Sequence, residues 1–324
     1  MRKSGSAMNS KKNVVVIGGG HGQSLICRSI KNIPDISITA IVTVADDGGS
    51  TGRLRRQFHI PAMGDIRNVM VSLAESESLM SSLMNYRFDD PDGEEKDIAG
   101  HNLGNLMLTA LTQQCGSFFE AVQRIGKVLN VKGQIIPATT QVISLYAIME
   151  DGVIVKGEAN IPNRANHIRQ VFYEEDVSAT PEAIEAIRKA DLIIYGIGSV
   201  YTSILPNIII PDIQAALDET KAKRVYFCNA MTQPGETDGY CVEDHVKALK
   251  RHGAPVDAVM VSKDTIPASI LQRYEQEGST QVTLKEKEHA YEIIEEELLS
   301  FENELIRHDS AKVEKAVQDI VEGL

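Results

Sequence analysis

Asn13-Val14-Val15-Val16-Ile17-Gly18-Gly19-Gly20-His21-Gly22-Gln23-Ser24 is an apolar, β-branched run that breaks into glycines and resumes at Leu25-Ile26 and Ile30. The pattern predicts a buried parallel strand, a tight turn and a helix start. Glycines at such a turn let the main chain approach a phosphate closely. The unpaired N–H groups and partial positive charge of the helix start then hold the anion. The run is not the dinucleotide fingerprint, because Gln23 stands where a third glycine is expected after Gly18 and Gly20. It also lacks the Gly-Lys-Ser or Gly-Lys-Thr of a P-loop. A phosphate-holding turn and a plain strand-to-helix bend both satisfy it.

The rest of the chain favours the first. Ile36 to Val44 is a second apolar, β-branched run, ending in Ala45-Asp46-Asp47-Gly48-Gly49-Ser50-Thr51-Gly52. An acid at a strand's end, after the first glycine loop, is where doubly wound folds place the acceptor for a ribose hydroxyl. The Asp46-Asp47 pair equally suits Mg²⁺ beside a pyrophosphate. Arg53-Leu54-Arg55-Arg56 and Gly64-Asp65-Ile66-Arg67-Asn68 follow, with arginines suited to phosphate contacts or to pairing with the chain's own acids. Gly100-His101-Asn102-Leu103-Gly104-Asn105 enters another helical pattern, a second helix start where an anion could rest. Residues 133–158 alternate around Asp151-Gly152 as an antiparallel hairpin, and polar residues 160–176 form a lid or a connection between lobes.

A second α/β half begins with a helix at 181–190 and a strand at 191–195. It continues through Gly196-Ile197-Gly198-Ser199-Val200-Tyr201-Thr202-Ser203, a helix at 211–222 and a strand at 224–228. The polar loop Asn229 to Thr237 leads to a helix at 242–252 and a strand at 256–261. Beyond it, Ala290, Ile293, Ile294, Leu298, Phe301 and Leu305 recur at helical spacing. They predict a helix over 285–308 lying on the sheet edge or on another subunit. In a parallel sheet every strand ends on one edge, so the loops after Ile17, Val44, Tyr195, Cys228 and Val261 converge. Each is rich in Gly, Ser, Thr, Asn or Asp, which makes that edge a nucleotide site.

Bulk properties bound the partners. A net charge of −12 argues against nucleic acid, for no excess of Lys and Arg is present to neutralise phosphates. Cys27, Cys115, Cys228 and Cys241 lack metal or redox spacing and are expected as buried thiols of a reducing compartment. No secretory core or membrane span is visible, so the protein is expected in the cytoplasm. The expected architecture is a three-layer α/β/α, Rossmann-like fold with a mostly parallel sheet and a small hairpin insertion. It comprises a tail at 1–12, a nucleotide-binding domain of two packed halves at 13–281, and a helical segment at 282–324.

Six stretches resemble the YvcK-type gluconeogenesis factors of the CofD-like superfamily. They are Gly18 to Gly22, Thr43 to Ser50, Gly64 to Asn68, Gly100 to Asn105, Gly198 to Pro206 and Met231 to Gly239, in the family's order. The last stretch is similar to the YvcK branch rather than to the enzyme branch. The resemblance implies binding of UDP-sugars, with NAD-like dinucleotides also fitting. It further implies a cytoplasmic role in carbon metabolism and cell-wall shape on gluconeogenic carbon sources. The enzyme branch transfers a phospholactyl group from a nucleotide diphosphate carrier, with Mg²⁺. His21 replaces the usual threonine, which bears on phosphate contacts, and Ile197 replaces an expected proline, which loosens its loop.

The leading expectation is a nucleotide-sugar-binding regulator without turnover; the alternative is a Mg²⁺-dependent transferase. The candidate binding set is Gly18, Gly19, Gly20, His21, Gly22, Asp46, Asp47, Gly48, Ser50, Asn68, Asn105, Gly196, Gly198, Ser199, Tyr201, Thr202, Asn229 and Thr232. Asp46 and Asp47 are the candidate metal ligands. A homo-oligomer and an unidentified protein target are the expected macromolecular partners.

Overall fold

Val14, Val15, Val16 and Ile17 are each at most 1% exposed, because strand β1 (Lys12–Gly18) runs through the middle of a sheet covered on both faces. The computed structural model describes residues 11–75, 79–91, 93–94, 97–164 and 166–324. The first ten residues of the expected tail lie outside them. β1 leads through α1 (Gly20–Ile30) to β2 (Ile36–Val42). Five helices follow: α2 (Gly49–Phe58), α3 (Gly64–Leu73), α4 (Leu79–Asn85), α5 (Leu103–Cys115) and α6 (Phe118–Val128). After β3 (Gln134–Pro137) the chain builds a small sheet from β4 (Tyr146–Met149), β5 (Ile154–Lys156) and β6 (Ile168–Phe172).

The second half runs through α7 (Pro181–Lys189), β7 (Leu192–Tyr195), α8 (Leu205–Ile208), α9 (Pro211–Glu219) and β8 (Lys223–Phe227). It continues with α10 (Val242–Arg251), β9 (Ala258–Ser262), α11 (Ala268–Gln276) and β10 (Glu292–Glu296). Short strands β11 (Leu299–Ser300) and β12 (Arg307–His308) precede α12 (Ser310–Glu322). The main sheet has the order β10-β9-β8-β7-β1-β2-β3, with every described pairing parallel.

The chain moves outward from β1 to β2 and β3, then returns to β7 on β1's other side. Right-handed crossovers in opposite directions put their helices on opposite faces of the sheet. α1, α3 and α12 pack together in one layer, and α7 with α9 in the other. The strand order reverses between β1 and β7, so the crevice beyond their carboxyl ends is where a doubly wound sheet holds its ligand. Gln23, the residue in place of the fingerprint's third glycine, closes the strand ends beneath that crevice. Its buried side-chain N–H₂ donates to Val16 O at 2.9 Å and Ile41 O at 2.8 Å, tying β1 to β2.

Two expectations change. Residues 285–308 are not a helix: β10 adds to the sheet edge in parallel with β9, and only residues 310–322 of the terminal segment form an α-helix. The apolar spacing there was a coincidence of strand, hairpin and loop. The adjacent pair Ile293-Ile294 gains more from pairing with β9 than from glutamate's helix propensity. Glu292, Glu295 and Glu296 leave the outer edge charged, which discourages further strand addition. The sheet therefore crosses the boundary expected at residue 281. Likewise, β6 comes from the stretch read as a lid or connection. It joins the predicted β4–β5 hairpin as a third strand in the order β5-β4-β6.

The small sheet docks through buried histidine and tyrosine side chains. His252 Nδ1 donates to Ala248 O at 2.7 Å, which leaves Nε2 to accept the Val171 N–H at 3.0 Å. Tyr201 adds its hydroxyl, 2.8 Å from that of Tyr240 and 3.3 Å from Ile168 O. Burial, the larger cause, and nearby Arg251 hold the His252 pKa below its ordinary value of about 6.5. The neutral ring's contribution is thus full above that value and is lost as pH falls toward the folded pKa. Thermal melts between pH 7.5 and 5 are expected to show acid destabilisation that His252→Gln reduces. An unchanged acid limb in that variant would remove His252 from the latch.

Candidate functional site

The glycine run bends around contacts that leave no room for side chains. A Cβ on Gly22 would lie 2.1 Å from the carbonyl oxygen of Ile197, so the loops after β1 and β7 meet backbone to backbone. A Cβ on Gly19 would lie 2.6 Å from Asp65 Oδ2. That carboxylate, on the first turn of α3, accepts the Gly20 N–H at the start of α1. The third loop is bound to the second by an amide pair. Asn229 Nδ2 donates to Gly198 O at 3.0 Å, and Gly198 N–H donates to Asn229 Oδ1 at 3.3 Å. The loops after β1, β7 and β8 therefore form one rim at the switch point.

The loop after β2 forms the adjoining wall. Asp46 Oδ1 accepts the Gly48 N–H at 2.9 Å, and its carboxylate also bonds the Thr51 hydroxyl. Ser50 Oγ lies 2.9 Å from His101 Nδ1, and Asn105 Nδ2 donates weakly to Thr51 Oγ1 at 3.4 Å, so the start of α5 braces this wall. Arg55 holds it from behind, donating to the carbonyls of Ala45, Asp46 and Ile143. Asp47 Oδ1 accepts the Ala159 N–H at 3.0 Å, which anchors the segment after β5 over the acids.

That anchoring crowds carboxyl groups together. Glu158, brought in by the small sheet, sits beside Asp46, Asp65, Glu236 and Asp47. Burial first and these neighbours second push its pKa up to about 8. Burial and Asp46 push Asp65 up to about 7, while the Gly20 N–H and Arg67 oppose the shift. Burial raises Asp46 as well, against the hydrogen bonds from Gly48 and Thr51. Such crowding of half-buried carboxylates marks a site that gains from a cation or a proton.

The other candidates divide. His21 is exposed on the first turn of α1, and Gly48 and Gly196 lie on the loops that form the rim and its wall. Asn68 is half-buried on α3 and accepts from Arg67 Nη2 at 2.6 Å. Ser199 and Thr202 both donate to the buried Glu236 carboxylate, whose pKa burial raises. Tyr201 faces the small sheet, and Thr232 Oγ1 accepts the Thr280 N–H at 2.8 Å. The hydrogen bonds of Asn229, Tyr201, Thr202 and Thr232 hold loops together, and Asn229 and Thr232 also line a cavity beside the rim. Asp65, Glu158 and Glu236 add carboxyl groups to the cleft and were not singled out from sequence. Asp65 and Glu236 sit in stretches that were. Nothing local marks Glu158, which arrives from an insertion more than a hundred residues beyond Asp46.

A cavity of about 440 Å³ opens beside the rim. It extends from Gly22 and Gly198 to Met231, Pro234, Tyr274, Ile306 and His308. Its walls are mainly apolar, and His308 Nε2 is buried there without a hydrogen-bond partner. Burial pushes the His308 pKa down to about 4, so the ring is neutral near pH 7.

Residues 14–299 match the family of 2-phospho-L-lactate transferase CofD. The "Gluconeogenesis factor" of Bacillus subtilis (strain 168) is 44% identical over 320 residues, covering 97% of this chain and 99% of that protein. The protein of the same name from Halalkalibacterium halodurans is 44% identical over 313 residues, covering 95% and 96%. A crystal structure of a UPF0052-family protein from Bacillus halodurans superposes with a TM-score of 0.89 at 43% identity, covering 95% of this chain and 99% of that one. The chain belongs to the CofD family and, within it, to the gluconeogenesis factors.

Proposed function

We propose that the crevice between the ends of β1 and β7 binds a nucleotide diphosphate ligand, a UDP-sugar or an NAD-like dinucleotide, as a regulatory signal. The observation that carries this reading is the backbone apposition of Gly22 and Ile197, which builds the rim around the N-terminus of α1. Main-chain N–H groups there suit a diphosphate. The adjacent cavity, with Met231, Pro234 and Tyr274 in its walls, suits a planar base or a sugar. The chain's relation to gluconeogenesis factors supports a role in carbon metabolism. In this reading that role extends to cell-wall shape and is exerted in the cytoplasm through a protein target. Among the described residues no helix is long and apolar enough to cross a membrane.

Mg²⁺ fits the donor chemistry. Asp46 and Asp47 offer hard carboxylate oxygens among crowded carboxyl groups whose protons a cation would displace. Among the described residues no three His, Cys, Asp or Glu side chains group closely enough to hold an ion alone. Phosphate oxygens would therefore complete the shell, which is how Mg²⁺ commonly binds beside nucleotides. When bound, the ion would offset phosphate charge. The family match and the acids facing the rim favour a second reading, a phospholactyl-type transferase, because phosphoryl chemistry needs mainly positioning and charge stabilisation.

Calorimetry with UDP-sugars and NAD, with and without Mg²⁺, together with phosphorus NMR of the mixtures, separates the readings. Saturable binding of an unchanged ligand is expected. A Mg²⁺-dependent new phosphorus species would favour the transferase, and no binding of any nucleotide would overturn both. Asp46→Asn is expected to weaken the Mg²⁺-dependent component about tenfold or more. The same affinity in that variant would take Asp46 out of the site.

A further inference from the structure

Two arginines converge on the α5 side of the Asp46 wall with no carboxylate paired to either. Arg67 stands on the first turn of α3, whose start abuts that wall. A Cβ on Gly64 would lie 2.8 Å from Thr51 Oγ1 and 3.2 Å from Asp46 Oδ2. The Arg67 stem crosses the first turn of α5. A Cβ on Gly104 would lie 2.9 Å from Arg67 Cδ and 2.5 Å from Met84 O, so a glycine at this position makes room for the arginine. Asn68 Oδ1 accepts from Arg67 Nη2 at 2.6 Å, and the buried Nε has no hydrogen-bond partner. Arg87 arrives from the other side. It pairs antiparallel with Asn102, the residue that caps α5, and its Nη1 donates to Gly100 O at 2.7 Å. Arg87 is near enough to push the Arg67 pKa down, second only to burial, whereas Asp65 and Asp46 push it up without forming an ion pair.

Two like charges held together in a half-buried place repel, and the chain has 45 Asp and Glu residues with which to neutralise them. Among the described residues neither guanidinium is matched with one, and the hydrogen bonds of both go to neutral oxygens. We propose that Arg67 and Arg87 form a subsite for the carboxylate of a sugar acid carried on the nucleotide diphosphate, so that the protein selects acidic over neutral nucleotide sugars. This rests on the nucleotide reading of the crevice and adds the class of sugar to it. Guanidinium groups suit a carboxylate because their parallel N–H donors match its two oxygens. A singly charged carboxylate fits better than a phosphate dianion, since Asp46 and Asp65 stand nearby and repel the larger charge more. The reach follows from α3. Asp65, two residues before Arg67, holds the Gly20 N–H at the start of α1, where the diphosphate would rest. Asn68 and Gly104 then serve the subsite together, one orienting the Arg67 guanidinium and the other clearing its path.

Calorimetry of the full chain with UDP-glucuronate and UDP-glucose, in Mg²⁺ at one ionic strength, tests this. UDP-glucuronate is expected to bind about tenfold tighter or more. Arg67→Met and Arg87→Met are each expected to bring that ratio to about one, with the circular dichroism of the wild type. Arg87 is exposed, so its variant carries the test should the substitution on α3 disturb folding. Arg188→Met, which removes an exposed arginine paired with Glu219, leaves the ratio as in the wild type. Equal affinities in the wild type overturn the subsite and leave the nucleotide reading standing. So does a preference that survives both variants. Should neither nucleotide bind, the crevice reading fails and free D-glucuronate decides the subsite. NMR of the arginine side chains is then expected to show Arg67 and Arg87 shifting with sodium D-glucuronate and not with D-glucose in matched sodium chloride. Arginines that do not shift overturn the subsite as well.

Discussion

Gly22→Ala is expected to weaken nucleotide binding on the order of 100-fold and to destabilise the protein. The new Cβ would meet Ile197 O at 2.1 Å and Ile197 C at 2.5 Å, both main-chain atoms that no rotamer change can move aside. Nor can the opposing loop retreat freely, since Gly196 N–H donates to Ile17 O at 3.1 Å and the Asn229 amide holds Gly198 on both sides. Overpacking against fixed backbone costs about 3 kcal/mol or more. In a chain of this size that lowers Tm by roughly 5 °C or more. Opening the rim lengthens the main-chain hydrogen bonds to the diphosphate, and losing one or two charge-assisted bonds is expected to cut affinity on the order of 100-fold. Gly18→Ala supplies the control within the same loop. Its Cβ would meet Gln23 Cβ at an ordinary 3.4 Å, so fold and binding persist. Melting curves without ligand and calorimetry with UDP-sugar check both effects. Wild-type affinity in Gly22→Ala would show that ligand binding does not require the loops to touch.

Much of this was legible in the chain because the deciding signals are local. Four-residue apolar runs such as Val14 to Ile17 have few alternatives to a buried parallel strand, and glycines after successive strands announce one functional edge. The strand order then brings the Gly18 to Gly22 and Gly196 to Ser199 loops together at the switch point. What stayed hidden depends on tertiary pairing. The Glu-rich run around Ile293 and Ile294 is a reasonable helix until β9 offers it an edge. Tyr201 and Thr202 have the polarity of ligand-binding residues, yet the same hydrogen-bonding capacity serves to fasten loops, while Asn229 and Thr232 fasten loops and line the cavity as well. Glu158 carries no local mark, because its role follows from where the small sheet sets it down rather than from its neighbours in sequence.

Asp65→Asn is expected to stabilise the ligand-free protein at pH 8 and to change little at pH 4. The Asp65 carboxyl is pushed up to about 7, chiefly by burial and then by Asp46, from an unfolded value near 3.9. Between these values the unfolded chain has released a proton that the folded chain retains. Stability therefore falls as pH rises through this window and levels off above the folded pKa. An isolated shift of this size corresponds to roughly 4 kcal/mol, and about half is expected because Asp46 and Glu158 share the repulsion. The asparagine is nearly isosteric, and its side-chain oxygen still accepts the Gly20 N–H. The variant should therefore be more stable than wild type by about 2 kcal/mol at pH 8. Denaturant titrations at pH 4, 6 and 8 read the difference directly. A stability gap that does not widen with pH would show that Asp65 ionises as freely as an exposed acid. The carboxyl crowding that makes this cleft receptive to a cation would then have to come from Asp46, Asp47, Glu158 and Glu236.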